Sequence, residues 1–106
     1  MSFEDTFQRI GTKLTENGFK EIKYKVKLPD CSGRFDIVAR SGGLRKKTVV
    51  CQVSEDPDDA SIAGMLLEGI PKKCMKYIYL ISGDPAFVPQ KKQISVITKV
   101  DDLPAV

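Results

Sequence analysis

A chain of 106 residues with 42% hydrophobic and 29% charged residues has the composition of one ordinary globular domain, with enough chain for one core and too little for two. It contains no histidine and no tryptophan, so Ser-His-Asp triads, Cys-His dyads, His-dependent metal nucleases and His-ligated zinc are excluded for want of an imidazole. The net charge of +3 is modest, but the segment from Lys20 to Lys47 carries nine basic residues against three acidic ones, which leaves the rest of the chain at −3.

Three cysteines at wide spacing, Cys31, Cys51 and Cys74, form no Cys-x-x-Cys pair and fit a reducing, cytoplasmic setting. The opening Met1-Ser2-Phe3-Glu4-Asp5 lacks the layout of an export signal, and no apolar run approaches the ~20 residues that cross a bilayer. The expectation is a soluble protein without a membrane partner.

Phe3, Phe7, Ile10 and Leu14 recur at helical spacing, Ser2 with Asp5 suits a capping box, and Asn17-Gly18 supplies a left-handed stop. From Phe19 to Leu28 the period becomes two. Ile22, Tyr24, Val26 and Leu28 fall on one side, with Glu21, Lys23, Lys25 and Lys27 on the other, as in a half-buried strand. Pro29 to Gly33 reads as a turn. The following run, Arg34 to Arg40, alternates Phe35, Ile37 and Ala39 with Arg34, Asp36, Val38 and Arg40.

A second reversal at Ser41-Gly42-Gly43 leads to a third strand, Thr48 to Ser54, and short links favour an antiparallel meander. Asp56-Pro57 is a cap and first-turn pair. Asp59, Ile62, Ala63, Leu66, Leu67 and Ile70 continue it as a helical stripe until Gly69 and Pro71 end it. Lys76 to Ser82 is nearly all apolar, the mark of a strand covered on both faces, reached by a helical crossover and parallel to the third strand. Pro85 to Pro89 reads as loop and Ile94 to Thr98 as a last short strand before a polar tail. The whole is one α/β domain over residues 1–106, with a mixed sheet and helices on both faces.

Two of these strands carry a family likeness. Gly33-Arg34-Phe35-Asp36-Ile37-Val38-Ala39-Arg40, followed by Lys47-Thr48-Val49-Val50-Cys51-Gln52-Val53-Ser54, resembles the restriction endonuclease-like, or PD-(D/E)xK, nuclease superfamily, which shares the α-β-β-β-α-β core. The resemblance implies that Asp36 matches the metal-binding Asp of the second strand and Gln52 the Glu or Gln of the third. Together they would hold Mg²⁺ or Mn²⁺. The motif Lys is replaced by Ser54, and Glu55 is the nearest candidate for a migrated acid. Such a site works because a divalent ion bound by hard oxygens polarises a phosphodiester and activates water, while a preorganised cation stabilises developing charge.

Even-numbered residues of the third strand share a face, so Lys47, about 16 Å before Gln52 along the chain and on the other face, is a poor substitute cation. The plain reading of each residue is a structural one. Asp36 balances Arg34 and Arg40, Gln52 is a hydrogen-bonded polar group, and Cys51 is an apolar filler facing a helix.

A site with one matched carboxylate and no cation favours a nuclease-like domain that binds DNA or RNA without efficient cleavage, or serves as a non-catalytic subunit. Binding would run through phosphate contacts from Lys23, Lys25, Lys27, Arg34, Arg40, Arg45, Lys46 and Lys47. The alternatives are an active metal-dependent nuclease with a migrated catalytic residue and a protein-interaction module. A homodimer or a larger complex is compatible with each.

Overall fold

The computed structural model describes residues 3–28, 33–42, 46–71 and 73–106. The expected capping residue Ser2, most of the Pro29–Gly33 turn with Cys31, Gly43, and the candidate phosphate contact Arg45 lie outside the described residues.

The chain builds a small α/β domain. Helix α1 (Phe3–Glu16) leads into β1 (Glu21–Val26), β2 (Phe35–Arg40) and β3 (Thr48–Ser54); helix α2 (Pro57–Glu68) then leads into β4 (Met75–Leu80) and β5 (Ile94–Ile97). The five strands lie in sequence order in one mixed sheet. β1, β2 and β3 run antiparallel as the short links require, and β3, β4 and β5 run parallel. α2 is therefore the connection between two parallel neighbours. Among the described residues no helix is long and apolar enough to cross a membrane.

Helix α1 ends where Gly18 turns left-handed at φ +104°. The N–H of Phe19 then donates to the Leu14 carbonyl and that of Gly18 to the Thr15 carbonyl, which satisfies the last turn. α2 begins at Asp56, whose Oδ1 accepts from the Asp59 N–H at 2.8 Å, with Pro57 in the first helical position.

Each face of the sheet has its own core. Ile10, Leu14 and Phe19 pack on Ile37, Ala39, Val49, Cys51, Val53 and Tyr79 on one side. Ala60, Ala63, Leu67 and Ile70 pack on Phe35, Val38, Val50, Ile78 and Leu80 on the other. Each fully buried aliphatic or aromatic side chain contributes roughly 1.5–3 kcal/mol.

Four expectations are corrected here. The alternation of β1 does not run unbroken. Ile22 packs with the α1 core but Val26 and Leu28 pack with the α2 core, because Lys25 adopts φ +51° and turns the strand over. Phe35 belongs to the α2 core and not with Ile37 and Ala39. The buried stripe of α2 is Ala60, Ala63, Gly64 and Leu67, while Ile62 is 62% exposed. Small residues let the helix lie close on the sheet, and the stem of Lys91 covers Gly64 on its way to Glu68, 2.8 Å from its carboxylate. Finally, the polar tail is anchored. Val100–Asp102 form a 3-10 turn, Leu103 is buried, and Asn17 Nδ2 donates to the carbonyls of Leu103 and Pro104.

Candidate functional site

β2 and β3 pair regularly from Arg40↔Thr48 to Ile37↔Cys51. At the next position their side chains take over. The Asp36 N–H donates to Gln52 Oε1 at 2.6 Å, and the Val53 N–H donates to Asp36 Oδ2 at 2.8 Å. Two ladder bonds between main chains are thus replaced by two bonds from main chain to side chain. The two strands are held together here through their functional groups. Beyond this point β3 continues to pair with β4 through Ser54↔Leu80, and Ile81 and Ser82 extend the contact by donating to the carbonyls of Ser54 and Glu55.

Asp36 and Gln52 therefore meet on adjoining strands. Gln52 is buried and Asp36 half-buried. Burial raises the Asp36 carboxyl above its ordinary range. The Val53 N–H opposes that shift, the Asp59 carboxylate adds to it, and Lys25 works against it. Lys25 stands between the register pairs Tyr24↔Ile37 and Val26↔Phe35, across from Asp36, with its ammonium 5.8 Å from the centre of the Phe7 ring. The Cys51 thiol, fully buried nearby, is pushed up to about 12 by burial, with the Asp36 charge adding to the effect. It is inert packing.

Ser54 is 1% exposed, and its Oγ has no hydrogen-bond partner among the described residues. Glu55 is exposed at the junction of β3 and α2. Its N–H donates to Asp59 Oδ2 at 3.0 Å, and its carbonyl accepts from the Ser82 hydroxyl at 2.7 Å. Helical spacing puts Asp59 in line with the apolar stripe of α2. In the fold it faces the β3–α2 junction, and the signal for it was the Asp-x-x-Asp spacing of a capping pair with Asp56.

Among the described residues no three Cys, Asp or Glu side chains gather in a geometry that would hold a metal ion. The donor set at Asp36 and Gln52 is thin for Mg²⁺ on its own terms. It offers one carboxylate and one neutral amide, each with an oxygen already accepting a backbone N–H.

The basic residues divide between the two ends of the sheet. Lys25 stands beside Asp36. Lys23 pairs with Glu21 at 3.1 Å and, with Lys27, flanks a shallow groove of about 120 Å³ on β1 and β2. Arg34 and Lys47 are exposed, and the Lys47 N–H closes the β2–β3 link by donating to Ser41 Oγ. Arg40 and Lys46 line a cleft of about 670 Å³ at the far end, together with Lys20 and Lys73. Four residues of strand, about 13 Å, separate that end from Gln52. Lys20 opens the basic segment but is not among the expected phosphate contacts, and Lys73 lies after α2, outside that segment.

Comparison of the chain with protein families, with curated proteins and with solved structures finds no match to any of the three.

Proposed function

We propose that the chain is a nucleic-acid-binding domain of the restriction endonuclease-like kind, in which the cleavage site has been converted into a structural fastening between β2 and β3. The observation that carries this reading is the pair of bonds joining Asp36 and Gln52 to the opposite backbone. Side chains that would ligate a metal are committed to holding strands together. The motif Lys is a buried Ser54, which supplies no charge to a developing anion. Binding instead uses phosphate contacts from the basic side chains at the strand ends, with DNA and RNA both eligible.

The element order, with α2 bridging two parallel strands, supports the same ancestry. The reading is tested by retardation of supercoiled, linear and branched DNA, and of RNA, over a range of salt, with a parallel cleavage assay in Mg²⁺ and Mn²⁺. Retention that weakens steeply with salt, without strand scission, is the expected result. Cleavage that disappears in Asp36→Ala establishes an active nuclease in its place. Absence of both leaves a protein-interaction module, for which the outer face of α2, with Ile62 and Met65 exposed, is the natural surface.

A further inference from the structure

We propose that the cleft at the Arg40–Thr48 end of the sheet binds a terminal nucleotide, with its phosphomonoester among Arg40, Lys46 and Lys73 and its base on Leu28, Ile70 and Cys74. The inference rests on the nucleic-acid reading above and assigns it a particular chemical feature, a chain end carrying a phosphate.

The cavity of about 670 Å³ falls in the range of small-ligand sites, roughly 300–1,000 Å³. Its lining is of two kinds. Lys20, Arg40, Lys46 and Lys73 supply four positive charges. Among the described residues none of these four is paired with a carboxylate, and the single acid of the lining, Glu21, is bonded to Lys23. The Glu21 carboxyl is held below its usual range first by that hydrogen bond and by the Lys23 charge, and further by the charges of Arg40 and Lys46.

The rest of the lining combines an apolar wall with Ser41, Gly42 and Thr48. Ile70 is buried, Leu28 and Cys74 are half-buried, and Pro71 closes the end of α2. A simple anion such as inorganic phosphate leaves that surface wet, and a neutral apolar ligand leaves four cations unanswered. A phosphomonoester is close to a dianion at neutral pH and gains more from several converging cations than a singly charged diester does. A base attached to it covers the apolar wall. The free mononucleotide and the phosphorylated end of an oligonucleotide share this chemistry.

Fluorescence anisotropy with one oligonucleotide sequence in three forms, 5′-phosphorylated, 3′-phosphorylated and hydroxyl-ended, separates these sources, with AMP and inorganic phosphate as competitors. One phosphorylated form is expected to bind about tenfold more tightly than the hydroxyl-ended form, the worth of one charged hydrogen-bonded contact. AMP should displace it better than inorganic phosphate and should slow alkylation of Cys74, mapped by mass spectrometry. Lys46→Glu and Lys73→Glu should each abolish the preference, while Lys99→Glu, an equal charge change at an exposed site elsewhere, keeps it.

Equal binding of all three oligonucleotides without AMP competition overturns the inference and leaves general backbone binding standing. AMP binding that protects Cys74, with no oligonucleotide bound, sinks the nucleic-acid reading and supports the cleft as a free-nucleotide site. AMP binding without protection of Cys74 overturns the assignment of the base to this wall. Failure of every probe to bind overturns both.

Discussion

The backbone N–H of Asp36 donates to Gln52 Oε1 while the Asp36 carboxylate accepts from the neighbouring Val53 N–H, so each strand is held by the other's side chain. A buried donor left without an acceptor costs about 1–3 kcal/mol. Asp36→Ala strands the Val53 N–H and is expected to lower stability by that amount in urea unfolding. Asp36→Asn keeps an acceptor oxygen at the same position and should lose far less. Equal losses for the two variants would show that the bond to Val53 carries no weight.

The same carboxylate gives a pH signature. Burial raises the Asp36 carboxyl above the ordinary 3.8, so the folded chain binds this proton more tightly than the unfolded chain does. The contribution of the group is most favourable while it is protonated, and it declines as pH climbs from 3.8 through the raised value. Asparagine does not titrate. The stability of Asp36→Asn relative to the parent chain should therefore improve between pH 3 and pH 7, read as the difference between paired urea titrations. A difference that is flat, or that slopes the other way, would mean the Val53 N–H and Lys25 outweigh burial.

Gln52→Glu puts a second carboxylate against the first and retains the oxygen that accepts the Asp36 N–H. Without metal the two charges repel, which should cost roughly 1 kcal/mol, the upper range for facing pairs on a sheet. Mn²⁺ or Mg²⁺ should recover part of that loss in the variant and leave the parent melting temperature unchanged. The comparison is made by thermal unfolding with and without the ion. An equal metal-dependent rise in the parent would restore the metal site that the native donor set argues against.

Ser54 carries a buried hydroxyl with no described partner, and such a group is a net cost to the fold. Ser54→Ala removes the hydroxyl and leaves the methyl-sized volume filled, so it should be neutral or stabilising by up to about 1 kcal/mol. A clear destabilisation in denaturant unfolding would show that the hydroxyl is bonded in solution and has a structural role.

Much of the fold was legible because it rests on local chemistry. The change from helical to two-residue period after Gly18, the Asp56-Pro57 cap and the apolar run of β4 each name an element and its ends. The juxtaposition of Asp36 and Gln52 is implied by the family resemblance, not by strand lengths or links, and the side-chain-to-backbone bonds that join them have no signature in the residue pattern. The turn-over of β1 was not legible, because nothing in the residue type announces that Lys25 takes a conformation usually left to glycine. The orientation of α2 is hidden in the sequence for a related reason. Hydrophobicity favoured Ile62 for the core, whereas close packing on the sheet selected Ala60, Ala63 and Gly64. The basic segment is continuous in sequence but spread along a sheet, so its charges reach opposite ends, and Lys73 joins the cleft from a distant part of the chain.

The end of the sheet that carries Asp36 also depends on Gly83. Just beyond β4 this residue sits at φ +89°, and a Cβ added there would lie 2.7 Å from Pro57 Cδ and 3.0 Å from Pro57 Cγ. Pro57 opens α2 and its ring cannot swing aside, so Gly83→Ala meets both an unfavourable backbone region and a rigid obstacle. A loss of roughly 1–3 kcal/mol is expected from the backbone alone. Gly69→Ala supplies the contrast, since its φ is −75° and the added carbon would rest 3.5 Å from the Leu66 carbonyl oxygen, an ordinary contact. That substitution should be neutral or gain about 0.4–1 kcal/mol by restricting the unfolded chain. Urea unfolding of both variants separates the two effects. Comparable stability in Gly83→Ala would show that the start of α2 can shift away from β4, and with it the β3–α2 junction that sets Asp59 against Asp36.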